Sequence, residues 1–306
     1  MSINFSGIKF NFGRKEKTHL SSADFAFFNS QTTSKILEKP VGFYQQKLND
    51  INFCGALNMV EEALDRFNKD GIFIIKDFLS QADAETLSAK IELESNKYLA
   101  LLNESNSFEN QKALIQRNSG VVKGYNRLSN YQRTVFDIRS GIVDCGMVDI
   151  FNIDKYFYES PLSSIFEFIR KDVFLIRFLE MLPSPLSMKN INAYLNSGVT
   201  STRGFHVDTF TKKIKIFIYL TDVLDFSQGP YTYVRGSHVD STYRKVNRIV
   251  SSKYVNGTEA PFVPCDEIYP VLAPKGSLVL SDQSGFHRGF PQSKDGSRLL
   301  LSINCI

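Results

Sequence analysis

Apolar residues in ALNMVEEALDRFNKDG fall at helical spacing (Leu57, Val60, Leu64, Phe67), and Gly71 supplies a C-terminal stop, so the pattern predicts a helix beginning at Ala56. The next stretch, IFIIKDFL, reads as a short buried strand. Ser80 followed by Asp83 predicts the N-cap of a helix through ADAETLSAKIELESNKYLALL. Ser160 and Pro161 form a cap and first-turn pair for LSSIFEFIRKDVFLIRFLEML. The apolar face of that helix is Leu162, Ile165, Ile169, Val173, Ile176 and Leu179, and Pro183 and Pro185 end it. After Pro185 the period changes from about 3.6 to about 2. Six segments then read as strands: NINAYLN, KIKIFIYLTDV, GPYTYVRGS, YPVLAP, GSLVLSD and RLLLSINCI. Turn formers separate them, among them Gly198, Gly204, Gly229–Pro230, Gly236, Gly285 and Gly296. A helical first half followed by many short strands predicts an α+β fold or a β-barrel with a helical jacket.

Two regions lack this order. Residues 1–55 are polar and dotted with aromatics, and read as an extended arm packed on the body, with His19 an ordinary surface residue. Residues 103–160 are rich in Asn, Ser, Gly and Arg and read as irregular structure, the natural place for a lid. The remainder, 56–306, is expected to be one domain, with helical support and lid over 56–185 and a strand core over 186–306.

Composition narrows the class. The 306 residues are 42% hydrophobic and include 26 phenylalanines, enough for a large aromatic core. A net charge of +4 with no long basic run does not argue for nucleic acid. Lys212, Lys213 and Lys215 read as the solvated edge of a strand. The four cysteines show neither C-x-x-C spacing nor a disulfide framework. No signal-peptide core and no apolar run of about 18 residues is present, so a reducing, cytoplasmic setting without a membrane span is expected.

The chemistry-bearing stretch is TRGFHVDTF. His206 and Asp208 stand two apart, so in extended backbone both side chains share a face. Alone, H-x-D is a weak signal and equally a surface turn. A second histidine would complete the two-His-one-carboxylate facial triad, which leaves coordination positions open and suits non-haem Fe(II). Of the two histidines downstream, His287 follows GSLVLSDQ and has Arg298 eleven residues later; His238 has no such partner and reads as fastening a turn. An arginine fork pairs bidentately with a carboxylate, as a site for 2-oxoglutarate requires.

FHVD, IYLTDV, GPYTYVRGSH, GSLVLSDQSGFHRG and SRLLLS together resemble the core of the phytanoyl-CoA dioxygenase family, within the Fe(II)/2-oxoglutarate-dependent oxygenases; FNKDGIFIIKDFLS resembles its N-terminal stretch. The resemblance implies a double-stranded β-helix, the jelly-roll or cupin-like barrel, with a helical N-terminal half around it. It further implies Fe(II) on His206, Asp208 and His287, with 2-oxoglutarate and O2 as cosubstrates. Arg298 then resembles the anchor of the distal carboxylate, and Asn192 and Asn196 resemble cosubstrate-touching positions. Many relatives carry Ser or Thr two residues past the distal histidine, where this chain has Gly289. The implied activity is hydroxylation, or a related oxidation, of a small-molecule or carrier-bound substrate; a retained Asp208 argues against halogenation. Arg203, Tyr125, Arg127 and Arg139 are the candidate substrate contacts. Two other readings stay open: a non-catalytic metal- or ligand-binding β-helix, and a Zn or Mn cupin-like hydrolase or isomerase.

Overall fold

The alternation after Pro185 becomes two sheets that face each other. In the computed structural model, residues 2–5, 8–11, 20–53, 60–104, 114–117, 134–139, 143–252 and 257–306 are described. A hairpin of β1 (Ser2–Phe5) and β2 (Ile8–Asn11) precedes α1 (Ser22–Leu37) and α2 (Val41–Ile51). Next come β3 (Asn52–Phe53), α3 (Val60–Asp70), β4 (Ile72–Ile75), α4 (Gln81–Glu104), β5 (Leu114–Arg117), β6 (Val135–Arg139) and β7 (Val148–Phe151). Three short helices follow: α5 (Ile153–Tyr156), α6 (Ser163–Lys171) and α7 (Val173–Glu180). The remaining elements are β8 (Met188–Ser197), β9 (Ile214–Tyr219), β10 (Tyr231–Val234), α8 (Thr242–Ser251), β11 (Ile268–Pro270), β12 (Leu278–Asp282), β13 (His287–Gly289) and β14 (Ser297–Cys305).

The major sheet runs β3-β4-β12-β9-β14-β8-β7-β6-β5 and the minor sheet β11-β10-β13. Strand parity sorts the side chains. One face of the major sheet carries Ile191, Ala193, Ile216, Ile218, Leu280, Leu299 and Leu301, packed with Phe67, Leu87, Ile91, Ile169 and Phe178 of the helices. The other face carries Ile74, Tyr194, Phe217, Tyr219, Val279 and Leu300, which meet Tyr231, Tyr233, Tyr269 and Val271 of the minor sheet. This is an α+β fold with a double-stranded β-helix core, helices covering the outside of its larger sheet.

At the Ser80 cap sequence and structure agree. Ser80 Oγ accepts the Asp83 amide at 3.1 Å and opens α4. Elsewhere the structure corrects the expectation. Among the described residues of 1–55, residues 22–37 and 41–51 are helical where an extended arm was expected: α1 opens on a capping box between Ser21 and Asp24, and buries Phe28, Thr32 and Ile36. A threonine on the buried face and phenylalanines elsewhere blur its period. Ile36 and Tyr44 pack with Val234, Ile268, Phe286 and Phe290 on the outside of the minor sheet. The 103–160 stretch contributes β5, β6 and β7 to the major sheet, not only irregular chain. The single helix expected after Pro161 is two, because Asp172 leaves helical geometry and its side chain caps α7 at Leu175. Residues β13 and α8 occupy were not expected as elements. No helix among the described residues is long and apolar enough to cross a membrane.

Gly276 sits at φ +85°, where the Leu79 carbonyl occupies the space a Cβ would need, and its own carbonyl accepts the Leu79 amide at 3.0 Å. Gly276→Ala is expected to cost about 1–3 kcal/mol through backbone strain. Urea titration should show a lower midpoint with an unchanged slope.

Candidate metal centre

His206 lies between β8 and β9 and joins His287, the first residue of β13, through an antiparallel bridge. The His206 amide donates to the His287 carbonyl at 3.0 Å and the His287 amide to the His206 carbonyl at 2.9 Å. The two imidazoles are therefore neighbours, with ring centroids 4.5 Å apart. Each is oriented by the same local device. Nδ1 of His206 is 2.8 Å from the Gly204 carbonyl, and Nδ1 of His287 is 3.0 Å from the Gly285 carbonyl. A carbonyl only accepts, so each Nδ1 carries the proton and each Nε2 presents a lone pair.

Val207 turns into the core, which leaves Asp208 on the side of His206. The Asp208 amide donates to the Gln283 carbonyl at 3.0 Å. Its Oδ1 lies 3.7 Å from His287 Nε2, while its Oδ2 accepts from Lys215 Nζ at 2.7 Å. One ligand atom from each of His206, Asp208 and His287 lies within 4.8 Å of the others. Burial, with Arg203 and His287 nearby, holds the His206 imidazole well below its ordinary pKa, so it is neutral. Burial by itself would raise Asp208; Lys215, His287 and Lys213 outweigh it and hold the carboxyl well below the usual range. Two imidazole nitrogens and one carboxylate oxygen are the donor set a borderline divalent ion takes.

Arg298 is buried on β14, opposite Asn196 of β8. Its Nη1 donates to the Gly229 carbonyl, and its Nε has no hydrogen-bond partner among the described residues. A Cβ at Gly289 would stand 3.6 Å from Arg298 Nη2. His287 and Gly289 share one face of β13, so the arginine fork and the histidine belong to the same interior. Asn192 Oδ1 accepts from the Asn152 amide at 3.0 Å and from Asn190 Nδ2 at 3.3 Å. Asn192 Nδ2 and Asn196 Oδ1 are buried without a partner among the described residues.

The remaining candidates have other partners or lie outside the described residues. Arg203, expected at a substrate, is committed to Glu259 through Nε at 2.9 Å and Nη2 at 2.5 Å, and to Thr258 at 2.9 Å. Arg139, expected there too, pairs with Asp149 at 3.0 Å and Asp144 at 2.9 Å. In the described residues each guanidinium is therefore already paired with acids of the chain itself. Tyr125, Arg127, His19 and Cys54 lie outside the described residues. His238 Nε2 meets the Asn68 carbonyl at 3.0 Å, apart from the triad, and fastens its turn to the end of α3.

Two features went unrecognised in the sequence. Lys215 is not on a solvated edge but buried against Asp208. Its signal was present: Lys215 shares parity with Phe217 and Tyr219, which point into the barrel. Tyr231 Oη, Ser281 Oγ and Gln283 Nε2 form a buried triangle of 2.8, 3.1 and 2.9 Å, with the Tyr231 ring 5.8 Å from that of His287.

No family model and no curated protein matches the chain. Solved structures do. AviO1 from Streptomyces viridochromogenes Tue57 superposes with a TM-score of 0.51 at 16% identity, over 82% of this chain and 96% of that one. The non-heme alpha ketoglutarate dependent epimerase SnoN from nogalamycin biosynthesis gives 0.49 at 17% identity, over 82% and 84%. HygX from Streptomyces hygroscopicus, with nickel and 2-oxoglutarate bound, gives 0.46 at 14% identity, over 80% and 85%. At these identities the likeness to AviO1 shows a shared fold.

Replacing His206, Asp208 or His287 by alanine is expected to remove measurable Mn(II) binding in equilibrium dialysis, whereas His238→Ala should bind as the wild type does. Loss of binding in His238→Ala with retention in His287→Ala would reassign the third ligand.

Proposed function

We propose that this chain is an Fe(II)- and 2-oxoglutarate-dependent dioxygenase, similar to the phytanoyl-CoA dioxygenases, that hydroxylates a C–H bond of a small-molecule or carrier-bound substrate. One conjunction carries this: a facial set of two Nε2 atoms and one carboxylate oxygen, with a buried arginine fork across the same interior. A purely structural metal has no use for Arg298.

When bound, Fe(II) with 2-oxoglutarate and O2 supplies the oxidising power, and succinate and CO2 are released. The chain's own residues hold and exclude. His206, Asp208 and His287 would hold the ion and leave its other positions open. Arg298 would grip the distal carboxylate of 2-oxoglutarate through Nε and Nη2, since Nη1 is already committed to Gly229. Gly289 leaves room for that grip where a larger side chain would press on the fork. Asn196, opposite Arg298 in register, and Asn192, four residues earlier on the same face, would complete the cosubstrate wall. Tyr231, Tyr219 and Phe217 line the interior with aromatic surface that keeps water away. Tyr125 and Arg127, in the polar 103–160 stretch, are proposed to contact the substrate. Cys145, Cys265 and Cys305 are free thiols, which suits a reducing, cytoplasmic setting.

The test is succinate formation from 2-oxoglutarate with Fe(II) across a substrate panel. Alongside it, an anaerobic titration should give a visible charge-transfer band with Fe(II) and none with Zn. No succinate and no band would overturn the proposal. Arg298→Ala should keep its metal while 2-oxoglutarate binding weakens by about 2–5 kcal/mol, roughly 30-fold or more. An unchanged 2-oxoglutarate dependence would remove Arg298 from the site.

A further inference from the structure

The metal ligand Asp208 has a lysine against it. Lys215 is 8% exposed, and its Nζ lies 2.7 Å from Asp208 Oδ2. Backbone pairing holds it in place: on β9 it stands opposite Asn304 of β14 and Ser281 of β12, in the middle of the major sheet. Lys213, two residues earlier on the same face, reaches to 3.7 Å of the same oxygen but is 38% exposed along its side chain. The nearby cation Arg203 is neutralised by Glu259. Asp208 therefore has one close, buried positive partner, which takes Oδ2, and its Oδ1 is the oxygen turned toward His287.

We propose that Lys215 is a positioning residue: the internal counter-ion of Asp208, compensating that carboxylate when no metal is present and competing with the metal when one binds. The proposal rests on the triad being a metal site. Its physical basis is simple. A carboxylate taken out of water needs a compensating charge, and Lys215 supplies one without iron. The metal-free chain thus folds with its ligand already aimed. A dication entering the triad then meets an ammonium group that water and salt screen only weakly. The site gives up some metal affinity, and its carboxylate is restricted to one free oxygen.

Lys215→Met keeps the bulk and removes the charge. In metal-free protein it should lower the melting midpoint, and adding Asp208→Asn to it should recover part of that loss, because the stranded carboxylate is gone. With Mn(II) as the probe, Lys215→Met should bind about ten-fold more tightly than the wild type. A merely structural lysine would give the opposite, since disturbing the strand beneath a ligand loosens a metal. A dissociation constant unchanged or raised in Lys215→Met overturns the proposal. Failure of the metal reading is seen separately and first: wild type would then bind Mn(II) no better than His206→Ala.

Discussion

Two backbone hydrogen bonds between His206 and His287 hold this centre together. They join the loop after β8 to the minor sheet, and both imidazoles are aimed by the carbonyl two residues before them. Because the aim comes from backbone on both sides, the donor geometry follows once the two sheets are in place. Asp208 then depends on the same frame, its amide tied to Gln283 at the end of the β12 turn. A hydrophobic interior of facing tyrosines and phenylalanines keeps the sheets at their spacing.

Among the described residues, several charges of the interior are answered by side chains of the chain itself. Arg139 answers Asp149 and Asp144, Arg203 answers Glu259, and Lys215 answers Asp208. Arg298 is different: it is buried, meets a carbonyl through one nitrogen, and keeps Nε without a partner among the described residues. A buried guanidinium in that condition is costly unless an anion completes it. The contrast between the paired arginines and this one is what supports Arg298 as the anchor in the proposed function.

Support for the centre also comes from the N-terminal helix. Arg288, next to His287 but on the opposite face of β13, is buried and donates to Asn29 and Thr33 of α1 and to Thr202 of the loop leading to His206. Its guanidinium lies over Phe205 and Phe290. Burial lowers its pKa to about 10, still far above neutrality, so the charge is retained and shared among neutral acceptors. A single residue thus ties α1, the loop ending in His206 and the strand beginning with His287 into one unit.

The sequence alone determined whatever repeats along the chain or stands at short spacing. The switch from a helical to a strand period placed the barrel after Pro185, the Ser80 cap placed α4, and H-x-D placed two ligands on one side of an extended segment. It also singled out His287, which the fold brings to His206 and Asp208, because few histidines were available and one of them had an arginine at a workable distance. Tertiary structure decided everything that depends on which charge meets which. Nothing local distinguishes Arg203 and Arg139, paired with acids far along the chain, from Arg298, and nothing local separates Lys215 from its exposed neighbour Lys212 except strand parity. The helix α1 went unread because its face mixes Phe28, Thr32 and Ile36, so its period was weak until the minor sheet supplied a surface to cover. Periodicity records how an element meets solvent and core, whereas pairing between distant side chains is set only when the sheets close and water is excluded from between them.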